Sequence, residues 1–166
     1  METQLCLSCI LQALALLVVA NGAPVIAQNI TGTHFNWPVD LGLILNDAQP
    51  LFGDSKTWRG LLVAVISGVI VASWIGLTAK LGALFALLAM TGDLFASFTK
   101  RRLRLAPSSR SRGLDVIPES LLPVVVMNTE LELNMIDIGL VVLVFFLIEV
   151  YLSPILYRWH IRKRPY

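Results

Sequence analysis

Gly60-Leu-Leu-Val-Ala-Val-Ile-Ser-Gly-Val-Ile-Val-Ala-Ser-Trp-Ile-Gly-Leu-Thr-Ala79 contains no charged residue and is broken only by Lys80. Twenty such residues in a helix, at 1.5 Å per residue, span about 30 Å, the thickness of a bilayer's hydrocarbon core. Its small residues Gly60, Ala64, Ser67, Gly68, Ala72 and Gly76 recur at helical spacing. Between lipid-exposed helices small residues let backbones approach closely, so this stretch reads as a packed transmembrane helix.

The rest of the chain repeats the pattern. No charge occurs between Glu2 and Asp40, which accommodates a span at about residues 4 to 27, with Asn21, Gly22 and Pro24 bending or ending its last turns. A third span is expected from Gly82 to Phe98, interrupted by Asp93 near its end. A weaker fourth, containing Pro123, is expected at about 117 to 134, and a fifth, containing Glu149, at about 137 to 157. The whole chain is 166 residues, 56% hydrophobic and 14% charged, with a mean hydropathy of +0.74. That composition excludes an ordinary soluble domain and leaves room for about four to six spans. The expected fold is all-α, a single polytopic membrane domain over residues 1 to 166 with about five transmembrane helices.

Charge placement orients these spans. With five alternating helices, residues 28 to 59, residues 99 to 116 and the C-terminal tail share one side. They hold Lys56, Arg59, Lys100, Arg101, Arg102, Arg104, Arg110, Arg112, Arg158, Arg162, Lys163 and Arg164, twelve of the thirteen Lys and Arg. The positive-inside rule makes that side cytosolic, with the N-terminus outside and the C-terminus in the cytosol of a multi-pass cytoplasmic-membrane protein. The apolar stretch Leu5 to Ala20 lacks the basic n-region of a signal peptide and is read as a retained first span. Cys6 and Cys9 form a CxxC with no second pair and no nearby histidine, and read as two small apolar residues on one helix face rather than a metal or redox pair.

Two polar segments interrupt the apolar pattern, both on the cytosolic side: Asp47-Ala-Gln-Pro-Leu-Phe-Gly-Asp-Ser-Lys-Thr-Trp-Arg-Gly60, and Gly92-Asp-Leu-Phe-Ala-Ser-Phe-Thr-Lys-Arg-Arg-Leu103 followed by Leu114-Asp-Val-Ile-Pro-Glu119. On a helix Asp93, Ser97 and Lys100 share a face, with Arg101 beside it. Asp93 lies about 10 Å along the axis from Lys100, below the headgroups. A carboxylate there costs a few kcal/mol unless partnered. Either a neighbouring Lys or Arg pairs with it, or it binds a divalent cation such as Mg2+, which takes one or two carboxylates and leaves its other positions to water and phosphates. Lys100 to Arg104 is a topology anchor or an anion site. Lys56 and Arg59 sit in a loop flanked by Gly53 and Gly60, where backbone amides and cations together suit phosphates. Gly53-Asp-Ser-Lys-Thr57 lacks the full P-loop pattern, GxGxxG and HExxH are absent, and His34 and His160 are isolated, so no soluble nucleotide-binding motif is present. Glu149 is expected to face other helices.

At these segments the sequence resembles the CDP-archaeol synthase family, relatives of the integral-membrane phosphatidate cytidylyltransferases. The resemblance rests on Pro38-Val-Asp-Leu-Gly42 with Leu51 to Gly60, on Gly92 to Leu103 with Leu114-Asp115, and on Asn21 and Pro24, and covers about residues 18 to 150. It implies an enzyme that transfers CMP from CTP to a lipid phosphate in phospholipid biosynthesis, releasing pyrophosphate, with Mg2+ as cofactor. By the same resemblance Asp93 and Asp115 are the metal ligands and, with Lys100, the catalytic residues. Lys56, Arg59, Lys100 and Arg101 hold the phosphates, with Asp54, Ser97 and Glu119 in secondary places. The chain departs from the family at Arg104, at Pro107-Ser108 and at Val116 after Asp115, while the charged core is intact. The implied partners are CTP, a membrane lipid phosphate and the bilayer. No nucleic acid is expected, and an oligomer is compatible with the sequence. The leading acceptor is an archaeal-type unsaturated ether-lipid glycerol phosphate, with phosphatidate the alternative. A non-catalytic membrane protein or transporter is the competing class, though a transporter places its polar residues near the midplane and here they gather at one interface.

Overall fold

A computed structural model describes residues 5–105 and 112–158 of the chain. Five helices follow one another: α1 (Leu7–Thr31), α2 (Trp58–Trp74), α3 (Ala79–Arg102), α4 (Arg112–Val126) and α5 (Met135–Arg158). Among the described residues the only extended pairings are isolated bridges, Pro38 with Thr57 and Ile44 with Pro50. The expected all-helical architecture is present. The charges at Arg110, Arg162, Lys163 and Arg164, with Pro107, Ser108 and His160, lie outside the described residues.

The polarity of the helix faces is that of a protein solvated by lipid. Ala64, Gly68 and Ala72 of α2 are buried, while Leu62, Ile66, Ile70 and Trp74 of the same helix point outward. Large apolar side chains outside and small ones inside reverse the pattern of a soluble helix. Among the described residues two helices, α1 and α3, are long and apolar enough to cross a bilayer, and α2 is a shorter apolar helix.

Small residues set how closely the helices pack. A Cβ on Gly68 of α2 would come within 2.8 Å of the Gly82 carbonyl oxygen and 2.9 Å of the Ala86 Cβ on α3. The small residues expected at a helix interface therefore do form one at Ala64, Gly68 and Ala72. Gly76 does not belong to it. Gly76 has φ +83° and turns the chain out of α2, which ends at Trp74 rather than running to 79. The larger core lies among Ala13, Leu16, Leu17 and Ala20 of α1, Phe85 and Ala89 of α3, Val124 of α4 and Phe145 of α5.

Other boundaries differ from expectation as well. Pro24 does not end α1, which continues to Thr31. Its end is tied by the Gly32 amide donating to Gln28 and the Thr31 hydroxyl donating to Ala27, at 2.9 and 2.7 Å. The fourth helix is displaced towards the N-terminus: it covers 112–126, includes both Pro118 and Pro123, and places Asp115 in its first turn, where the helix dipole favours a carboxylate. Residues 127–134, expected to be helical, form turns that close on the Asn134 cap of α5, whose side chain accepts from the amides of Ile136 and Asp137. Cys6 is outside the helix altogether. Its sulfur caps α1 by accepting from the Cys9 amide, and the two cysteines are joined in a disulfide.

Candidate active site

The segment between α1 and α2 is a folded loop built around one carboxylate. Asp40, only 8% exposed, accepts the amides of Phe52 and Gly53 through Oδ2, both at 2.9 Å, and that of Gly42 through Oδ1 at 3.1 Å. Burial works to raise its pKa, but those three amides outweigh it and hold the group below the ordinary aspartate value. Gly53, at φ +92°, makes the turn that aims its amide at Asp40. The Val39 amide donates to the Lys56 carbonyl at 2.8 Å, and the Lys56 amide to the Gly53 carbonyl at 3.1 Å. Thr57 then caps α2 by accepting the Gly60 amide. Lys56 is thus fixed at its backbone immediately before a helix.

Its side chain crosses to α3. Lys56 Nζ donates to both oxygens of Asp93, at 2.6 and 2.5 Å. Burial would depress the ammonium, but Asp93, with help from Glu119 and Asp115, more than offsets this and raises it above the ordinary lysine value. A second pair, Lys100 with Asp115, joins α3 to α4. The charged groups that the two polar segments contribute are therefore brought together, 37 residues apart in the chain in one case. Ser97, Lys100 and Arg101 are buried on α3, and the Arg101 Nε finds no hydrogen-bond partner among the described residues. Asp54 is exposed on the loop and is not part of this cluster.

Arg59 also ties the loop down. Its guanidinium donates to Thr31 Oγ1, to the carbonyls of Gly32 and His34, and to Asn36 Oδ1, clamping the loop onto the end of α1. Arg102 does the same from α3, donating to Asp47 at 2.6 Å and to the Pro50 carbonyl at 2.7 Å while lying over the Phe98 ring. Neither clamp is visible in sequence spacing, since each closes a gap of more than twenty residues.

Between these elements lies a cavity of about 220 Å³ walled by Asn21 and Gln28 of α1, Lys56 and Arg59, Asp93 of α3, Glu119 of α4 and Glu149 of α5. Glu149 was expected to face other helices, and its helix does bring it to this wall. Glu119 is 8% exposed and its carboxylate makes no ion pair or hydrogen bond among the described residues. Among those residues no three His, Cys, Asp or Glu side chains are arranged to enclose an ion. Mg2+ asks for less, one or two carboxylates with water and phosphates completing the shell, and the hard oxygens of Asp93, Asp115 and Glu119 fit that class.

The family model for CDP-archaeol synthase (CarS-like) matches residues 6–84. A CDP-archaeol synthase of Sulfurisphaera tokodaii is 32% identical over 155 residues, 90% of each chain. The chain belongs to the CDP-archaeol synthase family. A second synthase, from Sulfolobus acidocaldarius, is 31% identical over 90% of this chain and 91% of its own, and that of Pyrococcus furiosus is 41% identical over 58% of this chain and 60% of its own. A solved structure described as an intramembrane enzyme for archaeal membrane lipids biosynthesis superimposes with a TM-score of 0.72 at 27% identity, covering 86% of this chain and 91% of that one. The resemblance read from the two polar motifs is borne out, and with it the membrane-embedded cytidylyltransferase class of the synthase family.

Proposed function

We propose that the protein transfers CMP from CTP to an archaeal-type unsaturated ether-lipid glycerol phosphate, giving a CDP-lipid and pyrophosphate. A lipid phosphate oxygen attacks the α-phosphorus of CTP, and the bond from that phosphorus to the β-phosphate bridging oxygen breaks, its electron pair leaving with pyrophosphate. Two anions must meet in line, so the reaction needs charge neutralisation and positioning more than a base. The observation that carries this reading is the Lys56–Asp93 pair on the wall of a cavity in a chain of this family.

Lys56, Lys100 and Arg101 are the cations for nucleotide and lipid phosphates, and Arg59 supports the wall on which Lys56 stands. Asp93 and Asp115 are the ligands for Mg2+, which when bound supplies charge stabilisation at the transferring phosphate. The reading further takes all five helices as spans of a single domain in the cytoplasmic membrane, N-terminus outside and C-terminus cytosolic, because twelve of thirteen Lys and Arg then lie inside. That orientation puts the cavity where CTP is supplied, and the lipid acceptor reaches it from the inner leaflet.

The test is incorporation of labelled CTP into lipid by purified protein with Mg2+, offered the ether-lipid phosphate and phosphatidate separately. Labelling of the ether lipid supports the proposal, and labelling of phosphatidate alone replaces the acceptor. If neither lipid is labelled and CTP does not bind, the enzymatic reading fails and a non-catalytic membrane protein takes its place.

A further inference from the structure

Both oxygens of Asp93 are taken by one ammonium, that of Lys56, while the Glu119 carboxylate on the same cavity wall has no partner among the described residues. Lys100 is committed to Asp115. Among the described residues Lys56 is thus the one ammonium on the cavity wall facing Asp93, Glu119 and Asp115 together. Asp93, Glu119 and Glu149 share this wall, so it holds more carboxyl groups than one lysine can neutralise.

That is the arrangement a divalent cation would satisfy, except that an ammonium stands in it. We propose that Lys56 holds the place of the divalent cation beside Asp93 and Glu119 until a nucleotide triphosphate draws its ammonium onto a phosphate, so that cation and nucleotide load together. The inference rests on the cytidylyltransfer reading and adds to it an order of events and a role for Glu119 as the carboxylate kept open.

Three observations support the exchange. The Lys56 backbone is pinned by Val39 and Gly53, so the movement is confined to a flexible four-carbon stem carrying a compact charge. Its Nζ touches Asp93 oxygens that a cation would need, so the two positive charges exclude one another. Gly92 packs directly on the backbone of Pro118 and Glu119, so the contact between α3 and α4 fixes where the Asp93 and Glu119 side chains start and keeps both on the same cavity wall.

The exchange is tested by Mn2+ binding to the full chain in nanodiscs, read by electron paramagnetic resonance without CTP and without turnover. Lys56→Gln is expected to bind bare Mn2+ at least about tenfold tighter than wild type while binding CTP more weakly. Lys56→Gln/Glu119→Gln is expected to lose that gain, and Lys56→Arg, which keeps the charge, to stay as weak as wild type. Equal or weaker Mn2+ binding by Lys56→Gln overturns the proposal, as does a gain that survives loss of Glu119. Wild type supplies a check that depends on no variant's folding: bare Mn2+ binding as tight as binding with CTP also overturns it. Because these affinities are read without catalysis, a wild type that binds Mn2+ as expected yet labels no lipid refutes the transfer reading and leaves the place-holder standing.

Discussion

Gly92 on α3 lies so close to Pro118 on α4 that a Cβ at position 92 would stand 2.6 Å from the Pro118 carbonyl carbon and 2.8 Å from the Glu119 Cα, with the Pro118 oxygen nearer still. Backbone cannot yield as a flexible side chain does, so any side chain at 92 separates the two helices. The residue after Gly92 is Asp93, and the residue after Pro118 is Glu119. The close approach therefore sets the distance between two carboxylates of the cavity.

Gly92→Ala is expected to lower CMP transfer at least about tenfold and thermal stability by about 1–3 kcal/mol, the usual cost of forcing volume into a packed interface. Gly139→Ala is the matched control, because nothing lies within 4 Å of a Cβ there. It should leave turnover unchanged. Transfer assays and thermal unfolding of both variants in the same detergent decide the matter, and an active, stable Gly92→Ala would show that the helix separation is not critical.

Arg59, expected to hold phosphates, lines the cavity and also fastens the loop. Four acceptors on Thr31, Gly32, His34 and Asn36 are gathered by its planar guanidinium. A lysine keeps the charge but cannot reach several acceptors in a fixed fork. Arg59→Lys is therefore expected to lose about 1–3 kcal/mol of loop stability through the unpaired acceptors. Limited proteolysis should cut residues 32 to 57 faster in this variant. Unchanged cleavage together with weaker CTP binding would mean that Arg59 serves the phosphates rather than the loop.

The parts of this architecture that were legible in the sequence are those written in local spacing. The charge-free run after Gly60 announced a helix with a small-residue face, and Ser97 and Lys100 do lie buried on one side of α3. The Lys56–Asp93 pair was within reach because a carboxylate below the headgroups demands a cation. What spacing did not reveal was which cation, since pairing across 37 residues depends on how the loop folds. Asp40 organises that loop through the amides of Phe52 and Gly53, twelve and thirteen residues away, which no local spacing shows. The start of α4 is not legible in hydropathy, which locates apolar residues, because this helix begins in a polar turn at Arg112 and carries two prolines. Asp54 and Glu119 look alike in the sequence, and the fold separates them: Glu119 is buried on the cavity wall and Asp54 is exposed on the loop.

Asp40 carries a prediction about acid. Its folded-state pKa is depressed by the amides of Phe52, Gly53 and Gly42, so its contribution is present above the unfolded value of 3.8 and is lost as pH falls through the lower folded value. The loop should therefore stay ordered in mild acid, with slow hydrogen exchange at Phe52 and Gly53 until the pH drops below 3.8. Asp40→Asn puts an amide donor where Oδ2 or Oδ1 accepts, and should cost about 1–3 kcal/mol at neutral pH. Exchange at those two amides that is as slow in the variant as in wild type would remove Asp40 from the account of how Lys56 is positioned.

Asp93→Asn keeps the size of the side chain and removes the charge on which the Lys56 ammonium depends. Burial then acts on Lys56 with its main counterweight gone, and the lysine's pKa should fall from its raised position. For catalysis the loss is larger, because a neutral amide is a poor ligand for Mg2+ and supplies no charge to oppose it. Turnover at saturating CTP and lipid is expected to drop by about 10² or more. Retained CTP binding at lowered turnover would separate loss of transition-state stabilisation from loss of the nucleotide site. A variant as fast as wild type would mean that Asp93 only anchors Lys56 and takes no part in the transfer.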